Sequence, residues 1–349
     1  MDHVAMLRLS VLDQSTIVTG RAPATSIRET LALARHCEAL GYGRYWCAEH
    51  HNSDSIAGTA PEVLLAAIGA TTTRIRIGSA GIMLPHYSSL KVAEQFRVLE
   101  ALAPGRVDMG LGRAPGSDGR TAYALNPNAD TAADHFPAQV RDLLAWVAGE
   151  KLVEGHPYRD IVAQPQGETL PETWILGSSD YGAQVAAYFG LPYCFASFIT
   201  DGRGAEQALN VYRQTYRPSA RHPEPHPAVC VWALAAETED EAKYLFRSRE
   251  VARLLRDKGV FAPLMSPEEA VAQDYSEGDI VRIEKTRART LHGTARQVGD
   301  GLRQMAETLG VTEIAVLTTV HDPEKRRRSY TLLAEEFGLT RENIAPVAH

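Results

Sequence analysis

Cysteine is scarce in this sequence, and its few thiols are scattered along the chain. The 349 residues include four cysteines, at positions 37, 47, 194 and 230. These thiols lie too far apart for the paired spacing of a zinc site, and they are too few for a disulfide framework. The sequence therefore predicts reduced cysteines, no bound metal and a cytoplasmic protein.

Long apolar runs and dense positive charge are also missing. No apolar run reaches the roughly 20 residues that a membrane helix needs, and the first residues lack the charged leader and apolar core of a secretory signal. Lys and Arg total 36 against 43 for Asp and Glu, a formal net charge of −7. This composition argues against nucleic acids and membrane surfaces as partners, and predicts a soluble, unprocessed protein.

What the sequence does contain is a regular alternation of short apolar runs and longer amphipathic stretches. Eight such strand and helix units without a break in composition predict one (β/α)8 TIM barrel over residues 1–349, with a doubly wound open sheet as the alternative. The predicted strands cover residues 7–12, 44–48, 75–78, 107–111, 174–176, 193–197, 228–235 and 313–317. The predicted helices cover residues 26–40, 61–71, 89–102, 133–148, 182–189, 206–216, 240–256, 295–309 and 325–337.

The sequence also predicts two local features. Ser26 is the predicted N-cap of the first helix, and Glu29 completes a capping box three residues later. Segments 150–173 and 257–292 interrupt the repeat and are predicted insertions at the carboxyl-terminal face of the strands. Because loops at that face often cover active sites, segment 257–292 is a candidate lid.

A carboxylate and two imidazoles follow the second predicted strand, as Glu49, His50 and His51. Because successive strand residues point to opposite faces, one of the two imidazoles is the candidate for chemistry in a pocket. The alternative is that both imidazoles pack in the core or lie on a surface loop.

Segments that follow other predicted strands point to a phosphate site. Arg113 lies on a glycine-rich loop after the fourth strand, and a guanidinium group can bind phosphate through two hydrogen bonds. Ser178 and Ser179 open a helix after the fifth strand, where an anion is favoured. The small residues Ala80 and Gly81, after the third strand, would let a flat ligand approach the backbone. Each segment alone could be an ordinary turn, but together they predict a phosphate clamp beside a slot for a planar ring.

At these residues the chain resembles the bacterial-luciferase-like family of flavin-dependent monooxygenases, from about Leu9 to Phe198 and again from Gly293 onwards. The resemblance implies a TIM barrel that uses reduced FMN and O2 to insert one oxygen atom into a small organic substrate through a flavin hydroperoxide. It also implies a separate NAD(P)H:flavin reductase as the source of reduced FMN, and a homodimer.

The resemblance also implies roles for particular residues. His50 and Glu49 match the catalytic strand end of the family. The segment Ser79-Ala80-Gly81 matches a stretch that holds a non-prolyl cis peptide bond, between Ala80 and Gly81, beneath the flavin ring. Arg113, Ser178 and Ser179 match the residues that bind the FMN phosphate.

Two positions depart from luciferase itself. Gly112 stands where luciferase has its reactive cysteine, and Ser178 replaces an acidic residue. Light emission is therefore not implied, whereas the chemistry of the wider oxygenase family is.

An oxygenase of this kind needs a dry pocket and a controlled proton supply, for which a histidine with a pKa near neutrality is suited. The predicted apolar lining is Trp46, Met83, Leu84, Phe195 and Phe198. Two alternatives share the fold, namely a deazaflavin- or flavin-dependent dehydrogenase and a non-catalytic FMN-binding protein.

Overall fold

A computed structural model describes residues 7–340 of the chain. The described residues contain ten strands, eight of which form the barrel. The strands are β1 (Arg8–Asp13), β2 (Arg44–Cys47), β3 (Arg76–Ser79), β4 (Ile82–Met83), β5 (Val107–Gly112), β6 (Glu172–Gly177), β7 (Tyr193–Ala196), β8 (Pro227–Ala236), β9 (Leu291–Thr294) and β10 (Glu313–Leu317).

The eight barrel strands are parallel and close on themselves. Around the ring the order is β10, β1, β2, β3, β5, β6, β7 and β8, and pairing of β8 with β10 closes it. The short strands β4 and β9 pair with the carboxyl-terminal ends of β5 and β8, respectively. The predicted TIM barrel is therefore confirmed, and the open sheet is excluded.

Helices connect the strands, and none in residues 7–340 is both long and apolar enough to cross a bilayer. The helices are α1 (Pro23–Leu40), α2 (Pro61–Thr71), α3 (Ser89–Leu102), α4 (Gly119–Leu125), α5 (Ala129–Asp134), α6 (Phe136–Ala148), α7 (Asp180–Phe189), α8 (Ser197–Thr200), α9 (Ala205–Thr215), α10 (Glu239–Asp257), α11 (Pro267–Val271), α12 (Glu277–Arg289), α13 (Ala295–Leu309) and α14 (Pro323–Glu336).

The start of α1 differs from the prediction. The helix begins at Pro23, three residues before Ser26, because proline has the backbone angle of a first helical residue and needs no acceptor for an N–H group. Ser26 is instead buried inside the helix, and Glu29 pairs with Arg21. The predicted capping box at Ser26 and Glu29 is therefore wrong.

The two predicted insertions lie at opposite ends of the barrel. Segment 257–292 leads into β9, which pairs with the carboxyl-terminal end of β8, so it lies on the predicted face. Segment 150–173 instead leads from α6 into the start of β6, and Arg97 of α3 donates hydrogen bonds to the carbonyls of Pro165 and Thr169 within it. A connection from a helix to a strand reaches the amino-terminal end of a parallel barrel, away from any lid.

Charged side chains fill the amino-terminal end of the barrel. Arg44 donates 2.8 Å hydrogen bonds to both oxygens of Asp108 and to Glu313, and one of 2.7 Å to Glu172. Burial raises the pKa of Glu313, but the positive charge of Arg44 and the interactions with His226 and Ser10 together outweigh this effect and lower that pKa to about 2. Asp108 also accepts hydrogen bonds from Arg76 and from the Trp46 indole. The network joins strands from around the ring, so the stability of this end of the barrel depends on the balance between its positive and negative charges.

Replacing Asp108 by alanine is expected to lower the free energy of unfolding by about 3–5 kcal/mol, because two guanidinium groups lose a buried partner. The control is Asp300→Ala, whose carboxylate pairs with Arg303 on the surface and is 65% exposed, against 0% for Asp108. That change should cost less than about 1 kcal/mol. Denaturant unfolding of the two variants measures the difference, and equal small losses would contradict the network's role.

Candidate active site

A cavity of about 720 Å³ opens at the carboxyl-terminal end of the barrel. Its walls come from the segments that follow β2, β3, β5 and β6, from β8 and α10, and from residues 260–264 of the second insertion. This volume lies in the range of about 300–1,000 Å³ that is typical of cofactor and substrate sites.

The cavity brings together six of the eight predicted site residues. The six that line it are His50, Ala80, Gly81, Arg113, Ser178 and Ser179. Glu49 and Ser79 do not line it, and their side chains bind neighbouring segments of the protein.

Glu49 is fully buried and acts as a structural anchor. One carboxylate oxygen accepts hydrogen bonds from the His51 imidazole at 2.7 Å and from the Tyr87 hydroxyl at 2.6 Å. The other oxygen accepts the backbone N–H of Met83 at 3.0 Å. These bonds hold the loop after β2 against the segment after β3, so Glu49 positions its neighbours and does not itself face the cavity.

Ser79 supports the two residues after it, Ala80 and Gly81, which line the cavity. The Ser79 hydroxyl donates to the Gly110 carbonyl at 2.8 Å and accepts its N–H at 3.0 Å, which ties β3 to β5. The peptide bond between Ala80 and Gly81 is cis, as the family resemblance predicts. A side chain at Gly81 would begin 2.9 Å from the Gly110 carbonyl oxygen, so this close approach of two backbones requires glycine.

The predicted phosphate residues meet at the start of α7. Ser179 is the N-cap of this helix, and the first N–H groups of a helix are free to bind an anion at its positive end. Arg113 is exposed, and its guanidinium carbon lies 4.1 Å from the centre of the Tyr181 ring. Tyr181 was not among the predicted site residues. Its place in the first turn of the helix, after two serines, is a signal that an arginine could stack on its ring.

His50 faces the cavity as a neutral imidazole. Its backbone N–H donates to the Gly58 carbonyl at 2.9 Å, while the side-chain Nδ1 is buried without a partner in residues 7–340. The pKa of His50 is lowered to about 4, mainly by burial. The positive charge of Arg256 contributes to this lowering and outweighs the opposite effect of Glu49. The expectation of a pKa near neutrality is therefore wrong for the protein without a bound ligand.

Three of the five predicted apolar residues line the cavity, namely Trp46, Met83 and Phe198. Phe195 and Leu84 lie instead in the core between the barrel and its helices. Cys194, directly before Phe195, does line the cavity. Because strand residues alternate between faces, Phe195 must point outwards.

Three further cavity residues were missed by the sequence analysis. Arg249 and Arg256 lie on α10, and Trp232 lies on β8. The regular spacing of arginines along one predicted helix was the available signal, but it could not show which wall of the barrel that helix covers.

The sequence model of the luciferase-like monooxygenases matches residues 7–313. The N-acetyl-S-alkylcysteine monooxygenase of Bacillus subtilis (strain 168) is 36% identical over 335 residues, which cover 95% of this chain and 98% of that protein. The solved structure of apo-MsnO8 superposes with a TM-score of 0.86 at 35% identity and covers 96% of this chain and 99% of its own.

A more distant structure shares the fold. It is the oxygenating constituent of 3,6-diketocamphane monooxygenase from Pseudomonas putida in complex with FMN. Its TM-score is 0.70 at 17% identity, with 98% of this chain and 99% of that chain covered.

We expect His50 to stay neutral in the ligand-free protein down to a pH of about 4. Its folded pKa lies below the ordinary value of 6.5, so the unfolded chain binds the proton first as the pH falls. The contribution of His50 to the free energy of unfolding is therefore constant above a pH of 6.5 and is lost as the pH falls from 6.5 towards 4. Nuclear magnetic resonance titration of the histidine rings, with His50→Gln to assign the signal, measures this pKa. A His50 signal that titrates near 6.5 would contradict the assignment.

Proposed function

Because this chain belongs to the luciferase-like monooxygenase family, we propose that its cavity binds reduced FMN and an organic substrate, and that the enzyme transfers one oxygen atom from O2 to that substrate. The observation that carries the proposal is a single cavity that joins Arg113 and the start of α7, a floor of small residues and the imidazole of His50. Reduced FMN supplies the two electrons that reduce the second oxygen atom to water.

The residues of the cavity fit FMN. Arg113, Ser178, Ser179 and the free N–H groups of α7 would hold the phosphate, since both a guanidinium group and a helix N-terminus favour an anion. Ala80 and Gly81 present almost no side chain, so a flat ring can approach the backbone there.

His50 is the proposed group for proton control. Its unpaired Nδ1 can accept a proton or a hydrogen bond, and its neutral form at physiological pH suits a base more than an acid. Trp46, Met83 and Phe198 contribute apolar surface to the same cavity, which excludes water that would divert the oxygen chemistry to peroxide.

We also propose a separate NAD(P)H:flavin reductase as the source of reduced FMN. The glycine-rich segment 110–116 lacks the full dinucleotide fingerprint, so this loop offers no site for NAD(P)H. The related diketocamphane enzyme is described as an oxygenating constituent, which fits a division of labour between two proteins. The homodimer stays a prediction.

N-acetyl-S-alkylcysteines are the first substrates to test, because the N-acetyl-S-alkylcysteine monooxygenase, a relative aligned over 95% of this chain, acts on them.

Arg113→Ala is expected to raise the Kd for FMN by about 10-fold to 100-fold, because it removes a charged hydrogen-bond donor to the phosphate. The matched control is Arg120→Ala, on α4 and outside the cavity, which should leave the Kd unchanged. Anaerobic titration with reduced FMN measures both values. Equal effects from the two changes would contradict the phosphate assignment.

His50→Ala is expected to leave the Kd for FMN within about threefold of the original, because no phosphate contact is lost. Its effect should appear in the use of oxygen, with more peroxide released per reduced FMN consumed in the presence of a substrate. Peroxide and product are measured in the same reaction. A loss of FMN binding as large as that of Arg113→Ala would refute the assigned role, and turnover without oxygen uptake would favour the dehydrogenase.

A further inference from the structure

Three arginines follow one another along α10. Arg249, Arg253 and Arg256 are spaced by four and three residues, which places them on one side of the helix. Arg249 is half-buried in the cavity wall and Arg256 is exposed at its rim. Burial and the two neighbouring guanidinium groups lower the pKa of Arg249 to about 10, so it remains charged at neutral pH.

The nearest carboxylates already have a partner. Arg253 donates two hydrogen bonds of 3.0 Å to Asp201 and one of 3.0 Å to Asp257. Among residues 7–340, neither Arg249 nor Arg256 forms an ion pair with a carboxylate. Three positive charges thus stand against two negative ones, and in the described part of the chain the two arginines that face the cavity have no ion-pair partner of their own.

A buried donor without an acceptor lies beside these arginines. Trp232 is 5% exposed and lines the cavity, and its indole N–H has no hydrogen-bond partner in the described part of the chain. The Arg249 guanidinium carbon lies 5.6 Å from the centre of the Trp232 ring. Buried donors are nearly always paired, so this N–H group and the guanidinium groups point to an acceptor supplied by a ligand.

This second cluster is separate from the residues assigned to the FMN phosphate. Arg113 and Ser178 follow β5 and β6, whereas Trp232 belongs to β8 and α10 comes after it. In the ring, β7 lies between β6 and β8. We propose that Arg249, Arg256 and the indole N–H of Trp232 bind a carboxylate of the organic substrate. This inference rests on the proposed function, because it names the substrate class for the same cavity.

A carboxylate fits these donors better than a neutral group does. A guanidinium group matches a planar carboxylate through two parallel hydrogen bonds, and the indole adds a third donor. The inner wall formed by Leu12, Trp46 and Leu317 is apolar and suits the uncharged end of such a molecule. Arg256 also lowers the pKa of His50, so a bound carboxylate would offset positive charge beside the imidazole.

The test compares acids with their own methyl esters. The probes are N-acetyl-S-benzylcysteine and 3-phenylpropanoate, each with its ester, titrated calorimetrically into the full chain with and without oxidised FMN. We expect at least one acid to bind about 10-fold more tightly than its ester. Arg249→Met should weaken binding of that acid by about 10-fold to 100-fold and leave binding of the ester unchanged.

Further variants separate the charge from the fold. Arg249→Lys keeps the charge and should retain part of the preference for the acid. Arg256→Gln removes the charge of an exposed side chain and should weaken binding of the acid. Trp232→Phe keeps the ring and removes the donor, and should also weaken binding of the acid. The matched control is Arg247→Gln, on the same helix but outside the cavity, where Arg247 pairs with Glu250; it should preserve the preference.

Two results would overturn the inference. One is that no acid binds more tightly than its ester, including the case in which nothing binds. The other is that Arg249→Met weakens FMN binding as much as Arg113→Ala does, which would assign the arginines to the flavin phosphate. A failure of the proposed function is distinct, because it would appear as an absence of FMN binding in the unmodified protein while the preference for acids persists.

Discussion

Closure of the barrel is the constraint on which the site depends. Once β10 pairs with both β1 and β8, all eight parallel strands must end at one rim, and the residues that follow them must surround one opening. His50, Arg113 and Ser178 are far apart in sequence and meet for this reason. The other rim is held by Arg44 and its carboxylate partners. Stability and chemistry are thus assigned to opposite ends of the same strands.

The two ends use charge differently. At the amino-terminal end, the cations of Arg44 and Arg76 are matched by buried carboxylates. At the carboxyl-terminal end, the guanidinium groups of Arg113, Arg249 and Arg256 face the cavity, and no carboxylate pairs with any of them in the residues that the structure describes. A cavity with uncompensated positive charge at two places and a neutral imidazole attracts ligands that bring their own negative charges.

The fold could be predicted from the sequence to a large extent, because periodicity reports burial directly. Helices α2 and α3 have their predicted bounds, since each starts near a clear signal and ends where the apolar pattern stops. The first turn of α1 was misplaced, because Pro23 competes with Ser26 as a start signal and the chain favours the proline. The positions of His50 and Arg113, just after the ends of two predicted strands, also predicted that both residues reach the cavity.

What could not be predicted was the direction of individual side chains and the packing of the insertion. Glu49 matches the catalytic stretch of the family, yet its oxygens are occupied by His51, Tyr87 and the Met83 backbone. Such pairing depends on contacts between segments that no local pattern contains. The role of the arginines of α10 could not be predicted for the same reason, because their spacing is visible in the sequence but the placement of that helix over the cavity follows from tertiary contacts alone.

The most direct test of the central claim is to load the protein anaerobically with reduced FMN and mix it rapidly with oxygenated buffer while the flavin absorbance is recorded. The account predicts that oxidised flavin returns slowly without substrate, and faster when a substrate is present and becomes oxygenated. Immediate oxidation with one peroxide per flavin, whether or not substrate is present, would contradict the account. So would a failure to bind reduced FMN, and either result would direct attention to hydride transfer with a deazaflavin.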